Sequence, residues 1–328
     1  MAIPLVEKFK RATARPQSDL TPADSEWFGI GNLMRAAKVY NHFKYGSIHA
    51  YRRHLYRKQF DALLAEHGRP ASEAARLRDG WAMDLSRSHR LLDRVYTEAE
   101  AIIAKRGMTK EGRPDRKFLR DILHPEDLVD YPSLLDFALS PDILVPVSRY
   151  LGMIPVLSST VPPAIRLTES SADGQVDSTY RTSQLYHLDY HDTPLVYVIL
   201  LLRDVGPKSG PFTFLSTSAS DTVCRKLNYF SRRVPYRLTD EQVYGAVDRR
   251  EAHEFMGPKG SILFLDSSRC FHYGSRDAVV PRYQLMLAYV SPCRTDFTED
   301  NLTPRRYAAR DYDSPLARLV LDKYYRLP

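Results

Sequence analysis

From about residue 155 onward the chain is a succession of short β-type runs cut by turn residues. TYRTSQLYHLD, LVYVILLL, GPFTFLS, GSILFLD and RYQLMLAYV are separated by DG, GPKSGP, GPKG and VVPR. Many short strands punctuated in this way predict an all-β sandwich or barrel. Before residue 155 the pattern is different. Asp24 to Leu55, Glu73 to Arg106 and Pro132 to Leu151 carry apolar residues at helical spacing. In SPDILVPVSRYLG, Ser140 can cap a helix with Pro141 at its first position and Gly152 just past its last apolar residue. Pro146 inside that segment predicts a kink or an early stop.

The plan read from these patterns is a helical region over 1–154 packed on a mainly β core over 155–292. A carboxy-terminal extension over 293–328 ends in a short helix near Leu316 to Tyr325. No Gly/Ser-rich or charge-rich linker divides the chain, so one cooperative unit is expected. Neither internal repeats nor low-complexity tracts are present.

The bulk numbers exclude several classes. Hydrophobic residues make up 43% of the 328 and charged residues 27%, ordinary globular usage. No run approaches the roughly 18 apolar residues of a membrane span; the longest, Leu195 to Leu202, has the length of a strand. MAIPLVEKFKRATARP lacks the apolar segment of a secretory signal, so a cytoplasmic location is expected. Cys224, Cys270 and Cys293 are far apart, with no CxxC pair, and read as reduced structural thiols. The net charge of +7 is mild for this length. Its richest segment, YRRHLYRKQF at 51–60, reads as a helix with solvated arginines, and no nucleic-acid recognition motif accompanies it.

The stretch YHLDYHD, residues 186–192, raises the functional question. Two histidines and two carboxylates within seven residues suit a solvated turn, an acid/base pair or part of a metal site. On a strand, alternate residues point the same way, so His187 and Asp189 can converge while Leu188 turns away. Two histidines and one carboxylate on one face make the site of a mononuclear non-haem iron, with the remaining positions open. The distant candidate is His272, which follows the apolar run SILFL and lies 83 residues beyond Asp189. Ten residues further, Arg282 opens the run RYQLMLAYV. If those two runs are antiparallel partners around a turn, His272 and Arg282 face one pocket, where a guanidinium suits a carboxylate ligand.

His-x-Asp, a distant His and an Arg ten residues later make a set that resembles Fe(II)/2-oxoglutarate dioxygenases, in particular their phytanoyl-CoA dioxygenase-like branch. SPDILVPVSRYLG, HLDYHDTPLVYVILLLRDVGPKSGPFTFL and FHYGSRDAVVPRYQLMLAY carry the resemblance, over roughly residues 130–292. Residues 1–120 match nothing in it. Leu202-Arg203-Asp204 and Leu215-Ser216-Thr217-Ser218 depart from the usual pattern, on the substrate side more than the metal side. The resemblance implies a double-stranded β-helix, or jelly roll, with iron in its mouth held by His187, Asp189 and His272. It implies Arg282 on the distal carboxylate of 2-oxoglutarate and Ser275 as a further hydrogen bond to that cosubstrate. It implies O2 consumption, release of succinate and CO2, and oxidation of a C–H bond in a small organic metabolite. Hydroxylation, desaturation or ring closure fits better than halogenation, because Asp189 fills the place that related halogenating enzymes leave for chloride.

Other readings are weaker. Arg276 falls in the turn after His272 and ranks second as an anion anchor. A zincin would need Glu directly after His187, where Leu188 stands, and a dinuclear hydrolase would need His at 189. His191 reads as a neighbour of the metal or substrate, or as solvated, and Asp192 adds no ligand pattern. His253 and the six histidines from His42 to His124 read as structural. The 21 tyrosines serve cores and helix interfaces, or line an aromatic pocket. Substrate choice should reside in Ser170 to Tyr180, Ser216 to Glu254 and the unmatched helical half, with the Arg- and Tyr-rich Ser218 to Glu251 as lid or wall favouring an anionic group. The alternatives are a jelly-roll binding protein without the redox cycle, or an oxygenase acting on nucleic acid or protein.

Overall fold

The period-two runs of the carboxy-terminal half build two antiparallel sheets. The computed structural model describes residues 30–67, 75–107, 119–124, 126–158, 164–170, 180–189, 193–231, 233–293 and 310–321. His191, Asp192 and most of the 170–180 loop lie outside these residues. The strands are β1 (Trp81–Asp84), β2 (Leu119–Asp121), β3 (Val156–Leu157), β4 (Ile165–Ser170) and β5 (Leu195–Leu201). They continue with β6 (Phe212–Leu215), β7 (Ala252–Phe255), β8 (Ile262–Asp266), β9 (His272–Tyr273) and β10 (Arg282–Val290). The major sheet has the order β1-β8-β5-β10-β4-β2, with β3 also on β10; the minor sheet has the order β7-β6-β9. Rings from the two sheets meet between them, Trp81 of β1 against Phe214 of β6 with centroids 5.3 Å apart. This is the double-sheet jelly roll.

The helices are α1 (Ile30–His67), α2 (Leu92–Arg106), α3 (Asp127–Asp130), α4 (Pro132–Ala138) and α5 (Pro141–Leu151), then α6 (Thr217–Leu227), α7 (Asp240–Tyr244) and α8 (Pro315–Leu321). α4 and α5 meet the outer face of the major sheet, and α1, α2 and α3 pack on them. Tyr289 of β10 donates its hydroxyl to the Ala138 carbonyl at 2.7 Å, and Tyr150 of α5 donates to Asp266 of β8 at 2.7 Å. Tyr56 of α1 is fully buried and donates to the Leu319 carbonyl of α8 at 3.3 Å. Around it, Arg53, Arg57 and Lys58 are exposed, the solvated face expected of that segment.

Several local expectations hold and others are corrected. α5 begins at Pro141 after Ser140 and ends at Gly152, whose φ of +70° is the left-handed C-terminal turn that favours glycine. Ser140 does not cap with its side chain; its hydroxyl donates to Phe137 O at 2.8 Å. Pro146 does not stop the helix, which continues to Leu151. Glu73 to Arg106 is not one helical stretch, because Trp81–Asp84 pairs with β8 as an edge strand. Leu119–Asp121 likewise pairs with β4, so the major sheet reaches back across residue 155. TYRTSQLYHLD is not a regular strand. It forms a 3-10 turn over Thr182–Gln184 and then isolated bridges from Tyr186 to Leu238 and from His187 to His272. Within Ser218 to Glu251, expected as a lid or substrate wall, the structure builds most of α6 and all of α7. α6 and α7 pack around a separate apolar cluster that contains Tyr186, Leu188, Val223, Leu238 and Phe271.

One buried contact ties β1 to the helical layer. Asp84 accepts hydrogen bonds from His89 Nε2 at 3.1 Å and Ser86 N at 2.8 Å, and His89 Nδ1 lies 3.9 Å from Asp142 of α5. The His89 bond, followed by those from Ser86, holds the Asp84 carboxyl at about 2, below its ordinary 3.8. A depressed carboxyl stabilises the fold above its unfolded value and loses that stabilisation as pH falls through the folded one. Urea unfolding followed between pH 5 and 2 should therefore show Asp84→Asn with a shallower acid loss than the parent, by roughly 2 kcal/mol. Parallel curves would show that this pair does not link sheet to helices.

Candidate metal centre

Three elements bring the donors together. His272 sits in β9, paired with Phe214 of β6 in the minor sheet. His187 joins the same sheet through reciprocal backbone bonds with His272, each 3.1 Å. Two residues on, Asp189 N donates to Ser267 O at 2.9 Å, just past the end of β8 in the major sheet. The chain thus crosses from one sheet to the other between His187 and Asp189, which is why no regular strand forms there. Alternation survives the crossing. Tyr186 and Leu188 bury in the second apolar cluster, and His187 and Asp189 turn the other way, towards His272.

Each of His187, Asp189 and His272 offers a donor atom within 4.8 Å of the others, and they are the one such group among the described residues. His272 Nε2 lies 3.4 Å from Asp189 Oδ2, and His187 Nε2 lies 3.8 Å from Asp189 Oδ1. Metal bonds of about 2.1 Å at right angles place neighbouring donors about 3 Å apart, so these three would draw in by up to about an ångström or more to close on an ion. The ring orientations also suit a ligand role. His187 Nδ1 faces Leu185 O and His272 Nδ1 faces Cys270 O, both at 2.9 Å. A carbonyl can only accept, so each Nδ1 carries the proton and each Nε2 presents a bare lone pair. Burial, with His272 alongside, presses the His187 imidazole down to about 3, so it stays neutral and able to ligate.

Residues that the motif did not point to complete the surroundings. Tyr197 of β5 hydrogen-bonds the Asp189 carboxylate, and its hydroxyl is held up in pKa by burial and by that negative charge. Tyr236 lies edge-on to His187, with centroids 6.1 Å apart, and donates to Leu188 O at 2.7 Å. Phe212 stacks on His272 at 5.3 Å. A tyrosine in an apolar strand or an arginine-rich connection looks like packing until the sheets close, so no local signal singles these residues out. His253 does pack rather than ligate: it lies on Trp81 at 4.7 Å and on Phe214 at 5.4 Å.

The arginines are placed differently from the turn geometry expected. β9 does not pair with β10; it pairs with β6, so His272 and Arg282 belong to different sheets. They approach across the interior instead. A side chain at Gly274 would put its first carbon 3.7 Å from Arg282 Nη2 and from the ring of Phe212, which stacks on His272. Arg282 is buried and donates to the Gly210 carbonyl. Arg276 is already engaged, donating to Asp240 at 2.8 and 2.9 Å and to Gln184 O at 2.6 Å. Ser275 is buried at φ +59°, and its carbonyl accepts from Gln184 Nε2 at 2.8 Å.

No protein-family model matches the chain, and no curated protein matches it. Solved structures do resemble it. EctD from S. alaskensis, crystallised with 2-oxoglutarate and 5-hydroxyectoine, is 12% identical with a TM-score of 0.46, covering 71% of this chain and 82% of its own. The non-heme α-ketoglutarate-dependent carbocyclase SnoK from nogalamycin biosynthesis is 14% identical at a TM-score of 0.44, covering 69% and 85%. HygX from Streptomyces hygroscopicus, with nickel and 2-oxoglutarate bound, is 17% identical at 0.38, covering 71% and 92%. Likenesses this distant leave the chemistry to the site's own side chains. No helix among the described residues is long and apolar enough to cross a membrane.

If these three side chains form a metal site, calorimetric titration with Ni(II) should show one site per chain that His272→Ala abolishes. Tyr197→Phe, which removes only the hydrogen bond orienting Asp189, should weaken it by about tenfold to a hundredfold. Undiminished Ni(II) binding by His272→Ala, with circular dichroism unchanged, would place the metal elsewhere.

Proposed function

We propose that this chain is an Fe(II)/2-oxoglutarate-dependent oxygenase that oxidises a C–H bond of a small organic molecule. The observation that carries the reading is the coexistence, in one jelly-roll interior, of a His187–Asp189–His272 donor set and a buried guanidinium with no anionic partner. Arg282 is desolvated, and burial alone pushes it down to about 10. Among the described residues it donates to a neutral carbonyl and no carboxylate pairs with it. Burying such a charge unpaired is costly, which argues for an anionic ligand in the complete complex.

Two orphaned polar atoms stand with it. Ser170 pairs with Arg282 in register, and Gln284 lies two residues along the same face of β10. Among the described residues Ser170 Oγ and Gln284 Nε2 are buried without a hydrogen-bond partner. A carboxylate, with several lone pairs, would satisfy all three groups, as the distal end of 2-oxoglutarate does in this assignment. We also assign Ser275, buried three residues beyond His272, to the hydrogen bonds of the cosubstrate.

The roles of the protein groups follow from their placement. His187, His272 and Asp189 would hold the iron on one face, with Nδ1–H bonds fixing the rings and Tyr197 fixing the carboxylate. Arg282 would orient the cosubstrate. Tyr236 and Phe212 would shield the two imidazoles from water. Iron and 2-oxoglutarate together supply the oxidising chemistry: O2 is consumed, one oxygen atom leaves in succinate with CO2 as co-product, and the other goes to oxidise the substrate. Asp189 occupies the carboxylate position, so oxygenation, desaturation or ring closure is favoured over halide transfer.

Anaerobic addition of Fe(II) and then 2-oxoglutarate should produce a weak visible charge-transfer band, absent from His187→Ala. Arg282→Leu should keep Ni(II) affinity and lose about tenfold or more in 2-oxoglutarate affinity, the worth of a charge-assisted pair. Absence of the band in the unmodified protein, with no succinate formed under O2, would overturn the reading.

A further inference from the structure

The two sheets are unequal. The minor sheet faces β1, with Phe214 and His253 against Trp81. It has three strands against the seven of the major sheet. The minor sheet and its flanking turn reach over β10 at Arg282, through Gly210, Phe212 and Gly274, whereas among the described residues no hydrogen bond or ion pair from it reaches Arg166 or Asp121. Which residues line the inner strip of β10, β4 and β2 follows from register, because directly paired residues of antiparallel strands share a face. Tyr197, which bonds Asp189, pairs with Ala288 on β10, so the inner face of β10 is the one bearing Arg282, Gln284, Met286 and Ala288. Met286 pairs with Arg166 and Gln284 with Thr168 on β4, and Thr168 pairs with Asp121 on β2.

On this strip Arg166, Asp121 and Met286 remain accessible, whereas Thr168 and Gln284 are sealed. Arg166 donates Nε to Asp121 Oδ2 at 3.0 Å. Its Nη1 and Nη2 make no hydrogen bond among the described residues. The side chains are 15% and 27% accessible, yet burial pushes the Asp121 carboxyl up against the pull of Arg166. The guanidinium thus reaches solvent while its Nε is held by the carboxylate. By register Arg166 pairs with Met286 of β10, which pairs with Ile199 of β5, two residues from Tyr197 on the same face.

We propose that Arg166, held by Asp121 and flanked by Met286, is the anchor for a carboxylate on the organic substrate. Other cations are already used or turned away: Arg282 by the cosubstrate in the reading above, Arg276 by Asp240, and Arg120 by Glu169 on the opposite face of the sheet. With Nε given to Asp121, the end-on pair Nη1/Nη2 is left, a fork that matches the two oxygens of a carboxylate. Met286 offers apolar contact to the carbon skeleton beside it. In sequence order Arg166 lies between Ala164, which meets Ala288 at the depth of Tyr197, and Ser170, opposite Arg282. An anchored molecule would thus lie alongside the line from metal to cosubstrate. This inference rests on the oxygenase reading for the identity of the reaction, but the anion site itself can be tested without it.

The probes are phenylacetate and its neutral counterpart phenylacetamide, and the readout is the melting temperature of the full chain. Each titration is run on metal-free protein and on protein saturated with Ni(II) and 2-oxoglutarate. Phenylacetate should stabilise the parent protein at about tenfold lower concentration than phenylacetamide, the value of a charge-assisted hydrogen bond. Arg166→Gln should abolish that ratio while leaving stabilisation by Ni(II) and 2-oxoglutarate intact. Arg166→Lys should keep part of it, and Asp121→Asn, which loosens the guanidinium without removing it, should reduce it. Equal response of the parent protein to acid and amide overturns the proposal. So does an acid preference that persists in Arg166→Gln. Failure of Ni(II) and 2-oxoglutarate to stabilise the parent protein would instead sink the oxygenase reading and leave the carboxylate result standing by itself.

Discussion

Much of this structure depends on one backbone crossing. At His187 the chain exchanges two hydrogen bonds with His272 in the minor sheet, and at Asp189 it bonds Ser267 at the edge of the major one. The intervening residue, Leu188, is anchored in an apolar cluster together with Tyr186. Because side chains alternate along extended backbone, burying those two forces His187 and Asp189 to the opposite side, where His272 already points. The donor set is therefore held by hydrophobic packing on the far side of the same segment. The helices after β6 matter for this reason: they supply the cluster, and with it the geometry of the centre.

A second feature is the strict division of labour between the faces of the major sheet. The outer face carries Leu285, Leu287, Val198 and Phe264, sealed under the helices, with polar groups such as Asp266 and Tyr289 matched to partners there. The inner face carries Tyr197, Arg282, Gln284, Ser170 and Arg166, several with unmet hydrogen-bonding capacity. Buried polar groups without partners are rare in folded proteins and costly. Among the described residues Ser170 Oγ and Gln284 Nε2 are two such groups, and both lie on the inner face of the major sheet beside Arg282.

Some of the plan was legible in the residues themselves. The runs LVYVILLL, GPFTFLS, GSILFLD and RYQLMLAYV became β5, β6, β8 and β10, because each is long enough and apolar enough to be buried on a sheet. Pro141 and Gly152 marked the ends of α5 through backbone chemistry that acts locally. WAMD and LRD were not legible as strands. Three or four residues carry too little periodicity, and their strand state comes from edge hydrogen bonds to β8 and β4. Nor was the failure of TYRTSQLYHLD to form a strand visible, since it follows from which sheet each of its residues reaches.

At the site the same division holds. Residue type and order alone determined that His187, Asp189, His272 and Arg282 could form a metal-and-anion set, because only certain side chains offer those lone pairs and that fork. Which sheet each one occupies was decided by long-range pairing: His272 joined β6 rather than β10, and it meets Arg282 across the interior. Tyr197, Gln284, Ser170 and Arg166 entered only with the tertiary structure. Their relevance lies in sharing one face of a sheet, and a face exists only after strands far apart in the chain have found their register.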